Sequence, residues 1–142
     1  MQTISINQTP LASNILSTYK HKKGTIFFFE NLIVSEINDG VHLDYESLKE
    51  VIDIIKLYFN DKNFGYISNR INNFSASPLD FSKLDSFTLN LKHYCSVTYS
   101  QLGTMNSRLE QQFCKLPFKN FDNIIDAYKW TESMLFTENK TV

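Results

Sequence analysis

The chain has 142 residues with 14 basic and 15 acidic side chains, which gives a formal net charge of −1. Such a balance excludes the strongly basic surface that nucleic-acid binding normally requires. Hydrophobic residues make up 42% of the chain and aromatic residues 14%, including twelve Phe. That content is sufficient for the core of one domain without disulfides or a structural metal.

The two cysteines and the N-terminal residues bear on cellular location. Cys95 and Cys114 form no CxxC pair, which argues against a secreted disulfide framework. The N-terminus lacks the features of a signal peptide, and no apolar run approaches the ~20 residues that a membrane span needs. We therefore expect a cytoplasmic protein. Residues 1–13 are polar and are predicted to form a flexible tail before a single domain at residues 14–142.

Five apolar segments have the length and pattern of strands. Residues 15–20, 25–30 and 32–37 follow one another closely, and they are predicted to form an antiparallel meander. Single strands at residues 64–68 and 94–99 then alternate with helical stretches. This order predicts an α/β fold in which a single mixed β-sheet is flanked by helices.

The strongest helical pattern in the chain spans residues 44–59. Asp44 is predicted to be the N-cap, and Glu46 lies in the positively polarised first turn. The face opposite the apolar stripe is charged, so this helix is predicted to lie on the surface of a sheet. The apolar stripe consists of Leu48, Val51, Ile52, Ile55, Tyr58 and Phe59.

Three further helices are predicted. Ser77 is the expected N-cap of the first, with Pro78 at position N1. Thr104 is the expected cap of the second, which is amphipathic, and Asp122 opens the third. Their apolar positions, in chain order, are Leu84, Phe87, Leu89 and Leu91; Met105, Leu109 and Phe113 with Gln112; and Ile124, Ile125, Tyr128, Leu135 and Phe136.

The loop at residues 69–80 is the leading candidate for a functional site, because it follows a strand and precedes a helix. Ligands in open α/β sheets bind at the carboxyl ends of strands, near helix N-termini that attract anions. Arg70 would supply a positive charge to a ligand there, and Ser75 or Ser77 would accept a phosphate. The alternative interpretation is that Ser77 only caps the helix and that Arg70 is solvated.

Other candidate residues have simpler structural explanations. The three histidines are not spaced with other metal ligands, so no metal site is predicted. His93 and Cys95 lie two apart on a predicted strand and are expected to share a face, which leaves open a Cys–His enzyme. A buried structural cysteine is the alternative. Trp130 would mark a partner surface if it were exposed, and otherwise it packs the last helix onto the sheet.

The C-terminal part of the sequence resembles the SpoIIAA-like branch of the STAS superfamily. Members often carry a segment of the form Pro-x-x-x-Phe-x-x-x-x-x-Ala-x-x-Trp, which Pro117, Phe121, Ala127 and Trp130 match. The resemblance, together with the order of the elements, implies a mixed sheet flanked by helices and no catalytic centre. STAS domains generally act as binding and regulatory modules.

The resemblance also implies two more specific functions. In the anti-anti-sigma-factor branch, a serine at the start of the helix after the central strand is phosphorylated, and Ser75 or Ser77 corresponds by position. The usual Asp-Ser-Ser-Gly signature is absent, and Asn-Phe-Ser-Ala-Ser-Pro stands in its place. The branch is also similar to lipid-binding SEC14-type domains, which implies a pocket for a small apolar ligand.

We therefore expect a non-enzymatic binding or regulatory module that acts through protein–protein contacts and needs no cofactor. The expected partner is another protein or a second copy of the chain in a homodimer, and no nucleic acid is expected. The alternatives are a carrier of a small apolar ligand between helices and sheet, a phosphoserine switch, and an enzyme that uses Cys95 with His93.

Overall fold

The structure, a computed structural model, describes residues 2–77 and 90–140. Within these ranges the chain forms eight strands and three α-helices, preceded by two short 3-10 helices at Ile6–Gln8 and Pro10–Asn14. The strands are β1 (Ser17–His21), β2 (Gly24–Phe28), β3 (Leu32–Ile37), β4 (His42–Leu43), β5 (Phe64–Asn69), β6 (Ser75–Ala76), β7 (Leu91–Val97) and β8 (Phe118–Phe121). The helices are α1 (Tyr45–Phe59), α2 (Gln101–Gln111) and α3 (Ile124–Lys140).

Six strands form one mixed sheet in the order β1-β2-β3-β5-β7-β8. The β1–β2 and β2–β3 pairs are antiparallel, whereas β3–β5, β5–β7 and β7–β8 are parallel. Strands β4 and β6 form a separate, short parallel pair. The predicted mixed sheet flanked by helices and the antiparallel meander are both confirmed.

Helix α1 lies on one face of the sheet, as its apolar periodicity predicts. Asp44 is its N-cap, and the Asp44 side chain accepts a hydrogen bond from the Ser47 backbone N–H. The helix buries three apolar side chains against an apolar patch of the sheet, so its attachment depends on burial of hydrocarbon surface. The buried helical residues are Val51, Ile55 and Phe59, and the patch consists of Ile26, Phe28, Ile33, Phe64 and Leu91.

Helix α3 covers the opposite face of the sheet. Gly65 is required there because a Cβ atom at this position would collide with Thr131 Cγ2 on the helix.

The cap of helix α3 is Asn123 rather than the predicted Asp122, because the Asn123 side chain accepts hydrogen bonds from the N–H groups of Ile125 and Asp126. The core on this face includes Phe27, Phe29, Leu32, Val34, Ile67, Cys95, Val97, Ile124 and Ala127.

The N-terminal segment is packed against the sheet, and the prediction of a flexible tail at residues 1–13 is wrong for the part that the structure describes. Ile6 is completely buried in the core. The buried Glu36 carboxylate accepts hydrogen bonds from the Ser5 hydroxyl and from the Ile6 backbone N–H, both at 2.7 Å. The segment is therefore held by one apolar anchor and by a carboxylate that needs donors.

The boundary between the helix predicted after Ser77 and the strand predicted at residues 94–99 is different in the structure. The helix predicted to follow Ser77 falls mostly on residues outside the described ranges. Its last predicted apolar position, Leu91, is instead the first residue of β7, where it pairs with Phe64 of β5. Strand β7 consequently begins three residues before Tyr94, the predicted start.

Candidate functional site

A cleft of about 560 Å³ opens at the carboxyl ends of β5 and β7. One wall is the chain segment that follows β5, and the other is α2 with the segment that precedes it. This is the edge where the sequence predicted a site, because the carboxyl ends of neighbouring parallel strands meet there. The lining includes Arg70, Ile71, Asn73, Phe74, Ser75, Tyr99, Leu102, Asn106, Leu109 and Glu110.

A row of four polar side chains crosses the sheet beside the cleft. In register, Ser35 of β3 pairs with Ser68 of β5, Ser68 pairs with Ser96 of β7, and Ser96 pairs with Asn120 of β8. The three serines are buried. Because buried polar groups need hydrogen-bond partners, this row requires a polar surface above it.

Helix α2 supplies that polar surface for Ser96, whereas Ser35 pairs with the Tyr66 hydroxyl and Ser68 accepts from Arg70. The Ser107 hydroxyl lies 2.5 Å from the Ser96 hydroxyl. The Asn120 side-chain amide donates to Ser96 Oγ at 2.8 Å, and the hydroxyls of Thr98 and Thr104 are 2.8 Å apart. Helix α2 is therefore attached to the sheet by directional hydrogen bonds, whereas α1 is attached by apolar contacts.

Arg70 forms the charged part of this attachment. Its guanidinium makes a two-pronged ion pair with Glu110 of α2, in which Nη1 donates to Glu110 Oε2 at 2.8 Å and Nη2 donates to Oε1. Nη2 also donates to the Tyr94 hydroxyl at 3.0 Å, and Nε donates to Ser68 Oγ at 3.2 Å. The Arg70 and Glu110 side chains are only 9% and 10% exposed.

The electrostatics of Arg70 follow from these contacts. Burial by itself lowers the pKa of the Arg70 guanidinium, but Tyr94 and Glu110 together raise the pKa above its ordinary value. Burial also raises the pKa of the Tyr94 hydroxyl, so this group stays protonated. The interpretation of Arg70 as a solvated side chain is wrong, and the charge that was predicted to serve a ligand is paired with Glu110 at the edge of the cleft.

The two candidate serines lie at different depths. Ser75 is exposed on β6, and its hydroxyl lies 2.8 Å from Nδ1 of His42 on the neighbouring strand β4. Ser77 is partly buried, and its backbone N–H donates to the Leu43 carbonyl at 3.1 Å. The structure thus brings Arg70 and Ser75 into the lining of one cleft, whereas the helix that Ser77 was predicted to cap lies outside the described ranges.

The outer face of α2 is apolar. Leu102 and Met105 are each 64% exposed and Leu109 is 47% exposed, while Ser107 and Glu110 are buried beneath the helix. We call Leu102, Met105 and Leu109 the α2 crest.

The helix begins at Gln101, because the Ser100 side chain accepts from the Gly103 backbone N–H. The predicted cap Thr104 instead lies one turn inside the helix. The sequence pattern predicted a helix at Met105 and Leu109 but not that these side chains form an exposed surface. The available signal was Ser107 and Glu110, two polar residues at i, i+3 spacing that share the face opposite the crest.

A second depression borders the crest on its other side. It has a volume of about 730 Å³ and lies between α2 and the end of β8. Arg108 and Asp122 are exposed residues in its lining, which also contains Gln101, Thr104, Met105, Asn120 and Phe121. The crest is therefore a ridge with a depression on each side.

The remaining candidates lie in the core. Trp130 is half-buried, with its ring 5.8 Å from Phe121 and 6.2 Å from His93, so it packs α3 onto the sheet. Cys95 lies under the same helix, 3.6 Å from the Thr131 hydroxyl. Burial raises the pKa of the Cys95 thiol to about 12, the opposite of what a catalytic thiolate needs.

An apolar cavity of about 90 Å³ lies between α1 and the sheet. Pockets that hold small molecules usually measure ~300–1,000 Å³. This cavity is therefore smaller than an ordinary ligand site. Its lining includes Ile26, Ile33, Leu48, Val51, Ile52 and Ile55.

Two features are absent from the described residues. No group of three or more His, Cys, Asp or Glu residues in these ranges is placed to hold a metal ion. Within the same ranges, no helix is long and apolar enough to cross a membrane.

Comparison with known proteins bears on the fold. No family model matches the sequence, and no curated protein matches it. The structure is similar to the crystal structure of an uncharacterized protein from Shewanella loihica PV-4, which belongs to the DUF3478 family and has a SpoIIAA-like fold. The TM-score is 0.51 at 13% sequence identity, and the match covers 81% of this chain and 90% of that protein.

The chain has a SpoIIAA-like fold. The resemblance read from Pro117, Phe121, Ala127 and Trp130 is confirmed at the level of the fold. These residues have structural positions: the Pro117 carbonyl accepts from the Tyr94 N–H, and Ala127 is completely buried. In this SpoIIAA-like fold the motif connects β8 to α3.

Proposed function

We propose that this SpoIIAA-like chain is a non-enzymatic, cytoplasmic binding module that acts through protein–protein contacts, with the α2 crest as its contact surface. The observation that carries the proposal is the orientation of α2, whose polar side faces the sheet and whose apolar side faces solvent. An apolar stripe on a surface helix normally faces the core. Contiguous exposed apolar residues with polar surroundings are typical of interaction sites.

The contacts beneath α2 support this proposal because they hold the crest in one orientation. Reversing the helix would bury Leu102, Met105 and Leu109 but would leave Glu110 and the buried Arg70 without each other. Removing one partner from a buried ion pair is strongly unfavourable. The ion pair therefore keeps the crest on the outside of the molecule, where it is exposed to water and accessible to a partner. Met105 adds adaptability, since methionine side chains fit irregular partner surfaces.

Site-specific photo-crosslinking in the native host tests the proposal. A photoreactive amino acid is placed at Met105, and separately at Leu57, an 83% exposed leucine on α1 that serves as the matched control. We expect a discrete protein adduct from position 105 and none from position 57. The adduct should disappear when Leu102→Ser and Leu109→Ser are added, because the crest is then polar.

Two results would contradict the proposed contact surface. One is equal labelling from positions 105 and 57, which would mean that exposure alone causes the reaction. The other is the absence of any adduct at position 105 in cells that contain the folded protein.

The phosphoserine switch remains an alternative because the Ser75 hydroxyl is exposed and is held by His42. Intact-mass analysis of the chain from its native host, followed by peptide mapping, tests it. A phosphate on Ser75 would support the switch, and unmodified chains under all growth conditions would rule it out. The carrier alternative has weaker support, given an apolar cavity of about 90 Å³.

A further inference from the structure

We infer that the partner of the α2 crest is a second copy of this chain, packed crest against depression about a twofold axis. This inference rests on the proposed function, because it names the partner of the same surface. It is carried by two features of that surface: a ridge with a depression beside it, and one charge of each sign lining that depression.

The surface carries both a ridge and depressions, the two shapes that a twofold contact brings together. The crest stands between a depression of about 560 Å³ and one of about 730 Å³. When two copies of a patch meet about a twofold axis, a feature that lies off the axis meets a different feature of the other copy, and the reverse contact forms as well. Two α2 helices side by side would place each crest in the depression beside the other, as ridges of one helix pack into grooves of its neighbour.

The charges of the surface can also pair between two copies that are related by a twofold axis. Arg108 and Asp122 are exposed and line the same depression, yet within the described residues they form no ion pair with each other. About a twofold axis, Arg108 of one copy faces Asp122 of the other, and the pair occurs twice. An unrelated partner would need to supply both charges, whereas a second copy already carries them. The net charge of −1 adds little repulsion between copies.

The size of the surface indicates a weak dimer. The crest contributes three exposed apolar side chains per copy, and interfaces of this kind belong to the small, transient class. We therefore expect a dissociation constant in the micromolar range. The dimer would form and separate with changes in concentration.

Sedimentation velocity of the full-length chain over a series of concentrations tests the inference. The wild-type protein should change from monomer to dimer as concentration increases. Met105→Glu places a charge on the crest, where it would be buried against the other copy, and should abolish the dimer, whereas Leu57→Glu on α1 should leave it unchanged. Circular dichroism establishes that each variant is folded.

A charge exchange provides the decisive comparison. Arg108→Asp alone and Asp122→Arg alone should each weaken the dimer by about tenfold or more, since every 1.4 kcal/mol changes the dissociation constant tenfold. The double variant Arg108→Asp/Asp122→Arg should restore the wild-type constant, because the pairs reform in reversed order. Failure of the double variant to recover overturns the assigned arrangement.

Failure of this inference can be distinguished from failure of the proposed function. A wild-type chain that stays monomeric at all concentrations, or a dimer that survives Met105→Glu, overturns the inference. If position 105 then crosslinks to a different protein in the host, the contact surface stands with another partner. If the chain is monomeric and position 105 gives no adduct, both are wrong.

Discussion

Helices α1 and α2 cover the same face of one sheet and are attached to it by different forces. Helix α1 buries Val51, Ile55 and Phe59 against apolar strand residues. Helix α2 buries Ser107 and Glu110 against a polar row and Arg70. Apolar contacts are non-directional, whereas hydrogen bonds and ion pairs require one orientation. The comparison shows that an orientation set by polar contacts can leave an apolar stripe facing solvent.

Removal of the buried carboxylate should have the largest effect on stability. Glu110→Ala leaves the Arg70 charge buried without its partner, and such changes cost about 3–5 kcal/mol. Urea denaturation followed by circular dichroism measures the free energy of unfolding. The control is Glu46→Ala, which breaks the exposed 3.2 Å pair with Lys49 and should cost at most about 1 kcal/mol. Similar losses in both variants would mean that the polar attachment of α2 contributes little.

The apolar attachment of α1 should respond to a change in volume. Ile55→Ala removes buried methyl and methylene groups from the cluster under α1, at a cost of about 2–5 kcal/mol. Leu57→Ala on the exposed side of the same helix should change stability by no more than about 0.5 kcal/mol. The same denaturation assay applies. A small effect of Ile55→Ala would mean that contacts other than the apolar stripe hold α1 on the sheet.

Deletion of a buried hydroxyl tests one of the hydrogen bonds that attach α2 to the sheet. Ser107→Ala removes one of the two partners of the buried Ser96 hydroxyl, which keeps its hydrogen bond from Asn120, so the loss should be about 0.5–1.5 kcal/mol. The double variant Ser107→Ala/Ser96→Ala should cost less than the sum of the two single changes, because the hydroxyls act as a pair. Additive losses in this double-mutant cycle would show that the two hydroxyls are not coupled.

The smallest expected effect is the pH response of the α1 cap. Hydrogen bonds from the Ser47 backbone N–H and then the Ser47 hydroxyl hold the pKa of Asp44 below its ordinary value of 3.8. The stabilisation is therefore fully present above that value and is lost as pH falls through the lower pKa of the folded state. Asp44→Asn keeps an acceptor without the charge, so its thermal stability should approach that of the wild type in acid. Parallel pH profiles for the two proteins would contradict this explanation.

The sequence predicted the parts of the fold that depend on local patterns. The stripe from Leu48 to Phe59, the Asp44 cap and the antiparallel meander are all present, because apolar periodicity and capping act over a few residues. The structure has a cleft at the edge of the sheet where the sequence predicted a ligand site, since the carboxyl ends of parallel strands meet there.

Some features of the site could not be predicted because their partners are distant in the chain. Arg70 is neutralised by Glu110, forty residues later, and nothing close to either residue indicates the pair. The packed N-terminal segment likewise depends on Glu36, which lies about thirty residues after Ser5 and Ile6. Polar pairing across such distances requires the sheet to be assembled first.

The sequence by itself determined the α/β order, the face by which α1 packs, and the motif that connects β8 to α3. The order and the packing face follow from patterns that have one favourable solution in water, namely burial of the apolar face, whereas the motif rests on the resemblance to the SpoIIAA-like branch. Only the tertiary structure decided which side of α2 faces the sheet. The serine row and Arg70 demand polar partners, and satisfying buried polar groups outweighed burial of Leu102, Met105 and Leu109.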